Sequence, residues 1–104
     1  MIKKSESKVY SLGSYTFDLK GFCLIRNNIK KNLTSREALI LQIFCESKDE
    51  MVKRKDLLEI FWERDDFYTS RSLDVFISNI RKALKDDETI EIKTIRGEGF
   101  KLLC

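Results

Sequence analysis

From Val9 to Leu33 the chain alternates short β-favouring pieces with turn residues. The pieces are "VYSL", "SYTFDL", "FCLIR" and "IKKNL", and the breaks fall at Gly13, Lys20-Gly21 and Asn27-Asn28. Asparagine tolerates left-handed backbone, so Asn27-Asn28 suits a tight hairpin, and the stretch predicts a small antiparallel sheet of four strands. The period then changes. Leu33-Thr34-Ser35-Arg36-Glu37 offers Thr34 as N-cap and Glu37 three residues on, a capping box with an apolar residue just before it. Leu39, Ile40, Ile43 and Phe44 follow at helical spacing with Leu41 beside them, which predicts a helix to about Ser47. "MV" reads as a brief extended piece, "KRKDLLEIFW" as a short helix with Leu57, Leu58, Phe61 and Trp62 on its apolar side, and "ERDDFYTS" as a polar loop.

A third helix is predicted from Thr69 or Ser70 to about Asp86. At 3.6 residues per turn Leu73, Phe76, Ile77, Ile80 and Leu84 form one buried stripe. Arg71, Asp74, Val75, Ser78, Asn79, Lys82 and Lys85 lie away from it. Solvated helix faces usually carry Glu/Lys pairs four apart. This face instead mixes cations, short hydrogen-bonding residues and one aliphatic side chain, so a partner backbone can come close. From the helix alone it suits equally a solvent face or a major groove, where asparagine pairs with adenine, an aliphatic group meets a thymine methyl and cations meet phosphates.

Two of the four glycines sit in "TIRGEGF", residues 94–100. A phosphate-cradling loop needs a helix directly after its glycines, and only five residues follow Gly99. "IEIKTI" before and "FKLL" after read as strands. Arg96 to Gly99 is therefore a hairpin tip, which on its own either only closes a sheet or, with Gly97 and Gly99 turning the chain, projects Arg96 beyond the sheet as a groove probe. A hairpin that follows a groove-sized helix has the place of a wing.

Composition sets the outer limits. A chain of 104 residues with 42% hydrophobic and 36% charged residues and a net charge of +3 is one folded domain with a modest core. No apolar run is long enough for a membrane span, and "MIKKSESK" lacks the apolar stretch of a signal peptide, so a cytoplasmic location is expected. Cys23, Cys45 and Cys104 are odd in number and widely spaced. Neither a disulfide framework nor a metal site is indicated, and Cys23 and Cys45 are expected to be core thiols. The absence of histidine removes the commonest general base and metal ligand. The carboxylates sit in solvated runs such as "KDDE" and "ERDD" rather than among apolar neighbours that would raise a pKa, so neither an enzyme nor a cofactor is expected. Residues 1–34 hold seven cations against two acids, 35–70 six against nine, and 71–104 seven against six. A basic surface must therefore arise from arrangement in space rather than from overall charge.

"LTSREALILQIF", "KRKDLLEIFW", "RSLDVFISNIRKAL" and "IKTIRGEGFKL" together resemble, in order and spacing, the OmpR/PhoB-type winged-helix effector domain of bacterial two-component response regulators. The likeness runs from about Val9 to Leu103 and rests on two motifs, R-[ST]-hydrophobic-D-V-x-[IV]-x-x-[LI]-R-[KR] and T-hydrophobic-R-G-x-G-[YF]. It implies an α+β fold: an N-terminal four-stranded antiparallel sheet, three helices and a C-terminal β-hairpin wing. It also implies sequence-specific binding of double-stranded DNA, with the recognition helix at about 70–86 in the major groove and the wing at 94–100 in the minor groove. Trp62, Arg71, Ser72, Arg81, Thr94 and Phe100 match backbone-contacting positions. Val75 and Asn79 match base-facing ones, Ser78 and Lys82 share that helix face, and Arg96 matches the minor-groove arginine. Glu63, Arg64, Asp65 and Asp66 fall in the loop that in this family can touch RNA polymerase. The chain departs from the family at Phe76, where histidine is usual, and at Ser78 and Asn79, where arginine is common. Core packing is the better reading for Phe76.

Family members carry an N-terminal phosphoacceptor receiver domain. Residues 8–104 are thus expected to be the effector part of a regulator, with residues 1–7 a linker remnant, in preference to the alternative of a stand-alone regulator. The expected state is a monomer in isolation that pairs with a second copy on repeated half-sites. A winged-helix protein-interaction module that does not bind specific DNA is the alternative, favoured by Ser78, Asn79 and the acidic middle third.

Overall fold

The computed structural model describes residues 9–62 and 67–104. Four short strands come first, β1 (Val9–Leu12), β2 (Tyr15–Asp18), β3 (Cys23–Arg26) and β4 (Ile29–Asn32). They pair antiparallel in chain order, with Tyr10 opposite Phe17, Phe17 opposite Leu24 and Leu24 opposite Lys31. Because side chains alternate between faces, this row and Leu12–Tyr15 point one way, and Leu12, Tyr15, Phe17 and Leu24 are buried. Asn27 and Asn28 have φ of 53° and 64°, the pair of left-handed residues that a two-residue hairpin requires. In the turn between β2 and β3 the left-handed residue is Phe22, with φ of 51°, rather than Gly21.

Helix α1 (Ser35–Glu46) starts on the predicted capping box. The Glu37 amide donates to Thr34 Oγ1 at 3.1 Å and the Thr34 amide to Glu37 Oε1 at 2.9 Å, so two otherwise orphaned N–H groups are satisfied. Its buried positions are Ala38, Ile40, Leu41 and Phe44, whereas Leu39, expected on the apolar side, is exposed. Strand β5 (Met51–Lys53) and helix α2 (Arg54–Trp62) follow, then α3 (Phe67–Ala83), β6 (Glu91–Ile95) and β7 (Gly99–Leu103). The brief "MV" piece is the third strand of a second sheet, ordered β5-β7-β6. Its partners lie far along the chain: Val52 pairs with Phe100 and Lys53 with Gly99.

Helix α3 begins earlier and ends earlier than its hydrophobic period suggests. Phe67 and Tyr68, expected in a polar loop before the helix, are helical, and Thr69 is buried. At the other end the Leu84 amide is shared between Ile80 O and Arg81 O, both at 3.2 Å, as the last turn tightens. Lys31 Nζ then donates to Ala83 O at 3.0 Å and to Asp86 Oδ2 at 3.1 Å, so a side chain from β4 takes over the end of the helix.

One core joins the inner faces of both sheets to the three helices. Phe17, Leu24, Phe44, Leu58, Leu73, Ile77, Ile80, Phe100 and Leu102 belong to it, and Phe76 packs at its margin. Cys23 is buried and Cys45 half-buried, and burial pushes the Cys45 thiol up to about 12, which leaves it protonated at neutral pH. Outside the core, Asp87 closes the gap between the first sheet and the loop after α3. Its Oδ2 accepts from the Ser14 amide and hydroxyl, both at 2.7 Å, and its Oδ1 accepts from the Thr89 amide at 2.9 Å and hydroxyl at 2.6 Å. Among the described residues no helix is long and apolar enough to cross a membrane.

Candidate nucleic-acid interface

Helix α3 buries Leu73, Ile77 and Ile80, with Leu84 just beyond it, and turns Arg71, Ser72, Asp74, Val75, Ser78, Asn79, Arg81 and Lys82 to the surface. Six of these, Arg71, Asp74, Val75, Ser78, Asn79 and Lys82, border one shallow depression. Val75 is 59% exposed, an aliphatic group largely open to solvent.

An acid on this face would repel phosphate, and Asp74 is the acid here. Arg54, the first residue of α2, deals with it: its Nη2 lies 2.7 Å from Asp74 Oδ1. The same guanidinium donates to Ser70 O at 2.9 Å and to Ser70 Oγ from Nη2 at 2.6 Å, and lies over the Phe100 ring at 5.6 Å. Arg54 thus joins α2, α3 and β7 and leaves the face without an uncompensated negative charge. The sequence reading missed it, because "KRKD" looks like an ordinary solvated helix start and only the folded chain brings Arg54 to Asp74.

Arg81 has a second structural connection. Its Nε and Nη2 donate to Ile92 O at 3.0 and 2.6 Å, and Nη2 also reaches Thr94 Oγ1 at 2.6 Å. The side chain crosses from α3 to the open edge of β6 and fixes the hairpin relative to the helix. Thr94 therefore presents its hydroxyl from a strand that Arg81 holds in place.

The turn between β6 and β7 is closed by Glu98 N to Ile95 O at 2.9 Å. Gly97 has φ of 74° and open space around it, so it serves the turn itself. Gly99 serves packing rather than the turn. A Cβ there would lie 2.1 Å from Val52 O and 3.0 Å from Lys53 Cα, so only glycine lets β5 lie alongside β7. Arg96, at the tip, is exposed.

Two expected backbone contacts change character. Phe100 is 3% exposed and meets Phe44 edge-on at a centroid separation of 6.3 Å, so its ring is a core group and cannot be presented to a phosphate. The alternation of β7 turns it inward, opposite Val52. Trp62 is half-buried at the end of α2, edge-on to Phe61 and Phe76 at 6.3 and 5.8 Å, with Arg36 over its ring at 4.9 Å. This is a cation–π stack at the surface. Phe76, where the family usually has histidine, supports that indole. Glu63, Arg64, Asp65 and Asp66 lie outside the described residues. Among the described residues no cluster of His, Cys, Asp or Glu is arranged to hold a metal ion.

Comparison with known proteins agrees with this geometry. The family model described as "Transcriptional regulatory protein, C terminal" matches residues 28–102. The transcriptional regulatory protein RprY of Bacteroides fragilis is 39% identical over 101 residues, which cover 97% of this chain and 43% of RprY. Among solved structures, the Thermotoga maritima response regulator DrrB, an OmpR/PhoB homolog, superimposes with a TM-score of 0.76 at 34% identity, over 92% of this chain and 44% of DrrB. The Klebsiella pneumoniae RstA DNA-binding domain in complex with the RstA box gives a TM-score of 0.75 at 28% identity, over 92% of this chain and 97% of that one. The chain spans less than half the length of RprY and of DrrB. With the four-stranded sheet, the three helices and the arginine-tipped hairpin all in place, the chain belongs to the family of C-terminal domains of transcriptional regulatory proteins and has the OmpR/PhoB-type winged-helix fold.

Proposed function

We propose that this domain binds double-stranded DNA in a sequence-specific way as the effector of a response regulator, with α3 in the major groove and the wing in the adjacent minor groove. One observation carries the reading. The exposed face of α3, its one acid paired with Arg54, is held by Arg81 beside a turn that presents Arg96. A B-form major groove about 12 Å wide admits a helix, and the neighbouring minor groove admits an arginine. In this arrangement Asn79 offers a donor and an acceptor to adenine and Val75 meets a thymine methyl. Ser78 allows close approach, while Arg71, Ser72, Lys82, Thr94 and the indole N–H of Trp62 lie toward phosphates. Arg81 combines a phosphate-facing charge with its hold on the wing. Phe100 contributes through the core and the placement of its strand.

RprY and DrrB are each more than twice as long as this chain. We assign to the whole protein a receiver domain that accepts a phosphoryl group, pairing of effector domains on repeated half-sites, and a polymerase contact through residues 63–66. The isolated domain is monomeric on this reading. Selecting bound sequences from a random duplex pool, then measuring affinity for the winner against salt, tests the proposal. Binding through several phosphates gives a log–log slope of about −0.9 for each phosphate neutralised. A flat salt dependence with no enriched sequence would instead indicate a protein-interaction module.

A further inference from the structure

The face of the C-terminal sheet that turns away from the core carries a basic patch that the helix and wing-tip contacts leave unused. Pairing places Met51 opposite Lys101 and Lys101 opposite Lys93 in one row across the three strands, and Lys53, Gly99 and Ile95 in the next row toward the tip. Val52, Phe100, Ile92 and Leu102 alternate with these positions and are buried, so the lysine rows point outward. Lys53 and Lys93 are exposed and Lys101 is half-exposed. None of the three forms an ion pair among the described residues. Gly99 places no side chain between Lys53 and the hairpin, so the patch continues to the turn that holds Arg96. Acids lie around it rather than within it: Glu91 is one row farther from the tip, opposite Leu103, and Glu98 is in the turn.

We propose that Lys53, Lys93 and Lys101 form a phosphate-binding surface for the stretch of the same duplex lying beyond the wing. The proposal rests on the DNA-binding reading. If α3 fills the major groove and Arg96 enters the next minor groove, the hairpin stands between them. Its core face looks back toward α3, and its outer face looks along the duplex away from the domain. The row of Lys93 and Lys101 is two residues, about 7 Å, behind the last paired residues of the tip, a distance comparable to the length of an extended lysine side chain. Lysine suits the task, because a compact charge on a flexible stem follows a phosphate backbone without demanding one sequence. The surface would lengthen the contacted site beyond the base pairs that the helix and Arg96 read, adding affinity without adding specificity.

The test uses a duplex selected from a random pool and prepared in two lengths, one trimmed at the last base pair protected beneath the wing and one extended by about ten further pairs, a helical turn. Parent protein should bind the extended duplex more tightly and with a steeper salt slope. With three phosphates neutralised the slopes differ by about 2.7, or about 40-fold in relative affinity between about 50 and 200 mM salt. The variant carrying Lys53→Gln, Lys93→Gln and Lys101→Gln should lose this gain and still bind the trimmed duplex. A control with Lys20→Gln, Lys30→Gln and Lys48→Gln, which changes the net charge equally, should keep it. Equal binding of both duplexes by the parent would overturn the inference and leave the DNA-binding reading standing. So would an equal loss in the control variant. Failure to bind either duplex would overturn both.

Discussion

The two sheets of this domain find their strands in opposite ways. Strands β1 to β4 each pair with the next across a short turn, so every contact within that sheet is local. In the second sheet only β6 and β7 are neighbours. Strand β5 reaches β7 across α2 and α3, and three further links hold the sheet to its surroundings: the Asp49 amide to Leu102 O at 3.0 Å, the Arg54 amide to Glu98 O at 2.9 Å, and the Arg81 guanidinium to Ile92 O. The local sheet is a support whose form follows from its turn residues. The non-local one carries the hairpin proposed to meet DNA, and its position depends on residues far away in sequence. The share of the proposed function that falls to the hairpin therefore rests on the part that local sequence specifies least, unlike the share of α3.

The two sheets differ most at glycine. Gly99→Ala places a methyl carbon against backbone that cannot move without parting β5 from β7, and should cost about 3 kcal/mol of stability in urea unfolding or prevent folding. Gly21→Ala, in the local sheet, meets the tip of the Asp18 carboxylate at 3.1 Å, and should cost less than about 1 kcal/mol. Similar losses from the two substitutions would erase the distinction between the sheets.

Arg81 sharpens it. Arg81→Ala removes charge-assisted bonds to Ile92 O and Thr94 Oγ1 and should destabilise by about 2 kcal/mol. A double-mutant cycle with Thr94→Val should show a coupling of about 0.5 kcal/mol or more, because the two side chains share one bond. Additive effects would mean that Arg81 does not hold the wing through Thr94.

The smallest effect is expected at the clasp between the halves. Hydrogen bonds from the Thr89 hydroxyl, then from the Ser14 amide and hydroxyl, hold the Asp87 carboxyl well below the usual carboxylate range. A lowered folded-state pKa contributes stability that is present above the unfolded value of about 4 and is lost as pH falls below it. Thermal midpoints of the parent should therefore decline below about pH 4, and Asp87→Asn should make that decline shallower. An unchanged acid limb would remove the clasp from the account.

What the sequence made legible follows the same division. Asn27-Asn28, Thr34 with Glu37, and the stripe Leu73, Ile77, Ile80 and Leu84 all act through neighbours within a few residues, and each takes its predicted form. The readings that changed depend on distance in sequence. Strand β5 was legible as a brief extended piece, and only its pairing with β7 was not. The end of α3 is decided by Lys31, the role of Gly99 by Val52, and the pairing of Asp74 by Arg54. Phe100 matched a family motif by residue type, while its inward direction is a property of strand register. On α3 the outward face was legible because helical period alone separates it from the core.

If the turn of the second sheet works with α3 on one duplex, substitution of Arg96 must show it. Arg96 projects from the tip outside the core, so Arg96→Ala should leave the unfolding midpoint unchanged. On the selected site, at moderate salt, it should weaken binding by about 1–3 kcal/mol, tenfold or more over most of that range. Arg96→Lys should recover the charge-dependent part of the affinity without restoring preference for A/T-rich flanks, since lysine lacks the planar fork. Undiminished affinity of Arg96→Ala, with the fold intact, would contradict the account and leave "TIRGEGF" a turn that only closes a sheet.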